Sequence, residues 1–279
     1  MRSQTFAVVG LGLLGGSLGG ALRKAFPKCS VIGVSRSRAK IKAALRKRFI
    51  TSGTTNLKSA VQDANFVIIC TPVDTIANLV FKIDSFAKRG TWVTDVGSAK
   101  HEIIEKIRKR RLNNIHFIGA HPMAGSHLTG LAHADPHLYR NAFVFVTKHA
   151  GMNQAAFKQV TALWKKICAK TVVINTKSHD EIVAEISHIP HFFAALLVDA
   201  CSDRSLPFAG PGFKDITRVA QGDPRLWVPI FLANRSNIQK RLTRISKRLK
   251  SLQIFLQSGQ TRQISAFLEK SAFRRHKIS

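Results

Sequence analysis

Acidic side chains are scarce in this chain. Only 15 Asp and Glu stand against 44 Lys and Arg over 279 residues, a formal charge of +29. Such a field draws in anions and holds nucleic acid or anionic lipid without specificity; it governs solubility and steering rather than fold. Cysteine is scarce too. Cys29, Cys70, Cys168 and Cys201 are scattered with no CxxC pair, which argues against a disulfide framework or a structural zinc and predicts a reducing, cytoplasmic setting. No apolar run reaches membrane-spanning length, so no span is expected. Met1–Arg2 with its apolar sequel resembles a signal peptide only superficially, because glycines interrupt the apolar core and no cleavage site is followed by a fresh start. Internal repeats and low-complexity segments are also missing. What remains is a chain with 45% hydrophobic residues, long enough for two domains with real cores.

The N-terminus organises the rest. Thr5–Val9 is a short apolar run, Gly10–Leu11–Gly12–Leu13–Leu14–Gly15 follows at once, and Leu14, Leu18, Ala21, Leu22 and Ala25 recur at helical spacing. Strand, glycine turn and helix in that order open a dinucleotide-binding unit. Gly10 permits the tight turn, Gly12 leaves the backbone bare before a pyrophosphate, and Gly15 lets helix and strand pack closely. The free N–H groups at Leu13 and Leu14, with the positive end of the helix dipole, then face the phosphates. A second strand, Ser30–Val34, ends in Ser35–Arg36–Ser37–Arg38. An NAD enzyme usually carries an acid near this point for the ribose hydroxyls. A serine flanked by arginines instead suits a 2′-phosphate, so NADP is the expected cofactor and NAD the lesser one.

Strand-like and helix-like stretches alternate as far as Asn175: strands at Asn65–Cys70, Thr91–Val96, His116–Gly119, Ala142–Val146 and Thr171–Ile174, with helices between most of them. That is the pattern of a doubly wound, mostly parallel sheet of Rossmann type, in which ligands lie beyond the carboxyl ends of the strands. Thr71, Pro72 and Ser98 sit at such ends, and Thr71 and Pro72 join the expected cofactor set. Beyond Asn175 helical periodicity takes over, which predicts residues 1–176 as the dinucleotide-binding domain and 177–279 as an all-α domain. One helix is expected over Asp180–Cys201, kinked at Pro190. Ile238, Leu242, Ile245, Leu249 and Leu252 repeat at 4-3-4-3 spacing along a basic helix, a stripe suited to a bundle or a second subunit.

Gly119–Ala120–His121–Pro122–Met123–Ala124–Gly125 is read as a loop past a strand end, on the cofactor side. A histidine there is placed for proton transfer near neutrality. With eleven histidines in the chain, a structural role is the ordinary reading of such a residue taken alone. His188 and His191 stand three apart on one helix face, where packing is the ordinary explanation.

Taken together, GLGLLGGSL, TDVGSAK, GAHPMAGSHLTG, SHIPHFFAALL and GFKDITRVAQGDPRLWVPIFLANR, in that order over Phe6 to Asn234, resemble the prephenate and arogenate dehydrogenases. The resemblance implies a Rossmann domain followed by an all-helical dimerisation domain, hence a homodimer, and oxidative decarboxylation of prephenate to 4-hydroxyphenylpyruvate in tyrosine biosynthesis. It implies that His121 accepts the 4-hydroxyl proton, that Ser98 binds that hydroxyl and orients His121, and that no metal takes part. It assigns Arg218 to a substrate carboxylate, a task suited to a guanidinium fork, and His188, His191, Ser126 and His127 to the pocket. Arogenate carries an ammonium where prephenate carries a keto group. A histidine at position 127, where some arogenate users have an acid, leans toward prephenate, with arogenate as the alternative.

Two rivals remain. A β-hydroxyacid dehydrogenase would share the two-domain plan, but it relies on a lysine for which no matching motif is found. A nucleic-acid or membrane binder would use the basic helix Arg235–Lys250. No aromatic platform or nucleic-acid motif accompanies that helix, so neither a specific nucleic acid nor a membrane is an expected partner.

Overall fold

The computed structural model describes residues 4–125, 128–168 and 170–278. The first six strands are β1 (Thr5–Val9), β2 (Ser30–Val34), β3 (Ser52–Thr54), β4 (Phe66–Ile69), β5 (Thr91–Asp95) and β6 (Ile115–Ile118). They form one parallel sheet in the order β3-β2-β1-β4-β5-β6. Between them run α1 (Leu13–Ala25), α2 (Arg38–Arg46), α3 (Leu57–Val61), α4 (Val73–Phe86) and α5 (His101–Arg108). The order reverses between β1 and β4, and such a reversal opens a crevice for a dinucleotide.

Both faces of this sheet are covered, so its central strands β1 and β4 are near-continuous apolar runs rather than alternating with polar residues. Along β1, Phe6 and Val8 point into one core with Leu18 and Leu22 of α1, while Ala7 and Val9 point into the other with Val73, Ile76 and Val80 of α4. The two-residue strand period divides one short run between two cores.

A second sheet of three strands follows: β7 (Ala120–Pro122), β8 (Phe143–Lys148) and β9 (Lys170–Asn175), with α6 (Gln154–Ile167) joining the last two. β7 runs antiparallel to β8, and β8 parallel to β9. Two expectations are corrected here. The strands near 142–146 and 171–174 exist but leave the main sheet. His121, expected in a loop, lies on β7 opposite Phe145. The cause is a corner at Gly119, where a Cβ would fall 2.8 Å from Thr147 Oγ1 and 2.9 Å from Ile104 Cδ1. Only a bare backbone turns there, and Ala120 N is then caught by Asp95 Oδ1 at 3.1 Å.

From Thr176 the chain is helical. α7 (Thr176–Val183) passes through a π-helical turn at Ala184–His188 into α8 (Ile189–Asp199). This continuous helix starts four residues before the expected point and ends two sooner. Pro190 has no N–H for the carbonyl of Ile186, and the wider turn just before it takes up the mismatch. By length and composition Thr176–Asp199 could cross a membrane, contrary to the sequence expectation. However, it carries His179, Asp180, His188 and His191, all buried inside the protein. Two short helices, α9 (Pro211–Thr217) and α10 (Pro224–Ala233), complete this part, with α10 packed on α4.

The described residues cluster into two compact units, one ending at Asn234 and one beginning at Arg235. The second is a helical pair, α11 (Arg235–Gln257) and α12 (Thr261–Arg275), packed on each other with the Arg248 guanidinium 5.2 Å from the Phe267 ring centre. Of the 4-3-4-3 stripe, Ile238 is buried, Leu242, Ile245 and Leu252 are half-buried, and Leu249 is exposed.

Candidate active site

The glycine turn has the conformation its sequence demands. Gly10 sits at φ 103°, and a Cβ there would meet Cys70 O at 2.7 Å; one on Gly15 would lie 1.8 Å from Gly10 O. Gly12 faces open space and begins α1 without a side-chain cap. The N–H groups of Leu13 and Leu14 are therefore left to an anion. Thr71, just past β4, touches the same turn, since its Cγ2 would be 2.9 Å from a Gly10 Cβ. Pro72 occupies the N-cap of α4. This is a cradle that residues with side chains would fill, and it fits a pyrophosphate.

Ser35 follows β2 directly, and its Oγ accepts from Ser37 N at 3.2 Å. Ser37 in turn caps α2, accepting from Lys40 N at 3.3 Å. Arg36 and Arg38 are exposed beside them. Two hydroxyls, two guanidinium groups and a helix N-terminus thus meet where an acid would otherwise stand.

The chemistry gathers around His121. Its ring is 7% exposed, and Nδ1 lies 2.9 Å from His179 Nε2. His179 is fully buried, and its Nδ1 lies 2.7 Å from Asp180 Oδ1. The His179 ring is held edge-on between His121 and Phe145, with centroids 5.1 and 5.3 Å away. Asp180 also accepts from Lys100 N at 2.8 Å and His101 N at 2.9 Å. α5 starts at a lysine that cannot cap it, so a carboxylate some eighty residues away does so. The Lys100 ammonium is buried against Asp95, whose two oxygens also accept from Gly97 N (2.9 Å) and Ala120 N (3.1 Å). Asp95 thereby ties the segment before Ser98 to the one carrying His121.

Burial pushes the His121 imidazole well below its ordinary value, and the neighbouring His179, Lys100 and His188 disfavour a further charge there. His179 is lowered by burial, with Asp180 opposing. His188 is lowered by burial to about 4. All three rings are thus neutral near pH 7.

His188 hydrogen-bonds through Nδ1 to Asn234 Nδ2 at 3.1 Å, and Asn234 also donates to Asp180 O at 2.7 Å. His191 stacks on Trp227, centroids 3.5 Å apart. Both histidines are packed: the Ser98 backbone lies against His188, whereas His191 Nδ1 is buried with no hydrogen-bond partner among the described residues. An orphaned buried nitrogen can be satisfied by water or by a ligand's polar group. Ser98 is half-buried between Gly97 and Lys100, and among the described residues no hydrogen bond joins its Oγ to His121. Arg218 is exposed at the end of α9, where it opens a 3₁₀ turn packed on α8. Ser126 and His127 lie outside the described residues.

Comparison with known proteins places this geometry. Residues 18–173 match the model described as prephenate dehydrogenase, nucleotide-binding domain, and residues 175–270 match prephenate dehydrogenase, dimerization domain. The chain belongs to the prephenate dehydrogenase family. It is 30% identical to the prephenate dehydrogenase of Lactococcus lactis over 271 residues, 94% of this chain and 74% of that one. Prephenate dehydrogenase from Aquifex aeolicus, solved with hydroxyphenyl propionate and NAD+, superposes with a TM-score of 0.91 at 26% identity, covering 100% of this chain and 99% of the other. Synechocystis arogenate dehydrogenase superposes with a TM-score of 0.83 at 28% identity, covering 99% and 100%. Like other prephenate dehydrogenase family members, this protein is an oxidoreductase that uses a nicotinamide dinucleotide.

The family motifs had marked His121, but the sequence alone does not single out Asp95, Lys100, His179, Asp180 or Asn234. One local signal existed. Lys100 stands at a helix N-cap, where Ser, Thr, Asp or Asn is usual, and this points to a cap supplied from elsewhere in the chain.

Proposed function

We propose that this enzyme oxidises prephenate with NADP, releasing CO2 and 4-hydroxyphenylpyruvate, and that His121 is its proton acceptor. The observation that carries this reading is the His121 ring itself: neutral, just reachable, at the carboxyl side of the main sheet, with Nδ1 engaged inside and Nε2 unengaged among the described residues. A neutral imidazole of this kind takes the 4-hydroxyl proton at Nε2 as the C4 hydride leaves. The nicotinamide, when bound, supplies the electron sink for that hydride. Loss of the ring carboxylate as CO2 then aromatises the ring and draws the reaction forward.

Ser98 contacts the same hydroxyl, held in place by the anchors on either side of it. Arg218 takes a substrate carboxylate, and His188 and His191 line the pocket by resemblance. Ser126 and His127 complete its wall by resemblance. Gly10, Gly12, Leu13, Leu14 and Gly15 hold the pyrophosphate, with Thr71 and Pro72 at the crevice edge. Ser35, Arg36, Ser37 and Arg38 take the 2′-phosphate of NADP.

The dinucleotide domain ends near Thr176, and the helical part beyond it pairs two copies through apolar surface such as Leu249, Leu256 and Leu268, all exposed in the single chain. The enzyme works in the cytoplasm, in keeping with four unpaired cysteines. One spectrophotometric assay tests the reading by offering prephenate or arogenate with NADP or NAD. The pair prephenate and NADP is expected to give the highest kcat/KM; preference for arogenate or for NAD would overturn the corresponding half.

A further inference from the structure

Asp180 and His179 are buried polar groups, and neither can reach a substrate directly. Asp180 has both oxygens occupied, by His179 Nδ1, Lys100 N and His101 N. A carboxylate only accepts, so the His179 nitrogen 2.7 Å from it carries the hydrogen. A neutral His179 then presents a bare lone pair at Nε2. The nitrogen facing that lone pair, His121 Nδ1 at 2.9 Å, must be the donor. The other nitrogen of a neutral His121, Nε2, is therefore the unprotonated one. Hydrogen-bond logic runs from a buried acid through two rings and ends on a single base nitrogen.

We propose that Asp180 and His179 are positioning residues that lock His121 in the Nδ1–H tautomer, keep its Nε2 free to accept a proton, and stabilise the imidazolium formed when it does. The proposal rests on His121 being the proton acceptor. In that step the substrate O–H bond breaks and the His121 Nε2–H bond forms. His121 Nδ1–H then strengthens its bond to His179, and the new positive charge sits two hydrogen bonds from the Asp180 carboxylate.

The charges around the pair are Asp180 from α7, Lys100 and Asp95 from the β5–α5 corner, and His188 from the π-helical turn. Lys100 and protonated His188 disfavour the imidazolium, and Asp180 and Asp95 are the groups that offset them. Removing the Asp180 charge should therefore weaken the base and move the acidic limb of the rate profile to lower pH.

Two variants separate this role from a structural one. Asp180→Asn keeps an oxygen for the start of α5 but loses the charge; His179→Phe keeps ring volume and leaves Asp180 in place, but removes the acceptor for His121. In the whole enzyme labelled with ¹⁵N-histidine, the His121 signal is assigned by its loss in His121→Asn, and the wild type is expected to show a protonated Nδ1 and a bare Nε2. In both variants kcat should fall on the order of 10²-fold, with a smaller change in KM for prephenate, and the single tautomer should give way to a mixture. In Asp180→Asn the acidic limb should shift to lower pH as well. A protonated Nε2 in the wild-type enzyme would overturn the relay, and so would unchanged kcat and an unmoved acidic limb in both variants. If instead His121→Asn retained normal turnover, the proton-acceptor reading itself would fall, whatever the tautomer.

Discussion

The two halves of the site are built from different materials. The dinucleotide cradle is backbone: Gly10, Gly12 and Gly15 act by lacking side chains, within six consecutive residues. The half proposed to transfer the proton is side chain: His121, His179, Asp180, Lys100 and Asp95 come from three separate stretches and meet only after folding. A backbone site is limited by local conformation and is therefore written in local sequence. A relay of buried polar side chains depends on every member being satisfied at once, and no short window carries that condition.

Substitutions can push on this contrast from either side. The largest effect is expected at the substrate end of the relay. His121→Asn should lower kcat by about 10²–10⁴ with little change in Kd for NADP, measured by steady-state kinetics and cofactor titration; a parallel loss of cofactor binding would mean the halves are not separate. Next is the ion pair beneath it. Lys100→Met leaves a buried carboxylate without its cation and should cost about 3–5 kcal/mol in denaturant unfolding. Acid should act through the histidines. His188 is held near a pKa of about 4, so it takes up a proton on unfolding, and its contribution is lost as pH falls from about 6.5 through about 4, roughly 3 kcal/mol in all. Unfolding curves at neutral pH and at pH 4, with His188→Phe flattening the difference, check this.

Smaller effects are expected where the two halves meet their ligands' charges. Arg218→Ala should raise KM for prephenate roughly 10- to 100-fold, through loss of about 1.5–3 kcal/mol of charge-assisted contact. Ser35→Asp combined with Arg36→Ala should turn the NADP-to-NAD ratio of kcat/KM toward NAD by about tenfold. That change touches only the cradle, so the ¹⁵N signature of His121 should be unmoved by it.

What the sequence made legible follows the same division. Short runs rich in apolar residues, all but the last followed by helical spacing, placed β1, β2, β4, β5 and β6 to within a residue or two, because a strand buried on both faces has little polar interruption. β3, only Ser52–Thr54, has too few residues and too little hydrophobicity to stand out. The second sheet was hidden because its distinguishing event, the corner at Gly119, is set by contacts with Thr147 and Ile104 rather than by turn chemistry. The π-helical turn is local in cause, and Pro190 had announced a disturbance without revealing its form. Asp180 was least legible of all. In sequence it is one more acid in the first turns of a helix, an unremarkable place for one. In the fold it caps a different helix and holds His179.

The central claim is that one nitrogen of His121 takes the substrate's hydroxyl proton while the other stays on His179. A structure of the enzyme with NADP and an unreactive ring analogue bearing the 4-hydroxyl tests it most directly. The account requires His121 Nε2 within hydrogen-bond reach of that oxygen, about 2.6–3.2 Å, with the His179 contact unbroken. An analogue bound with its hydroxyl served by other groups, and Nε2 well out of contact, would contradict it.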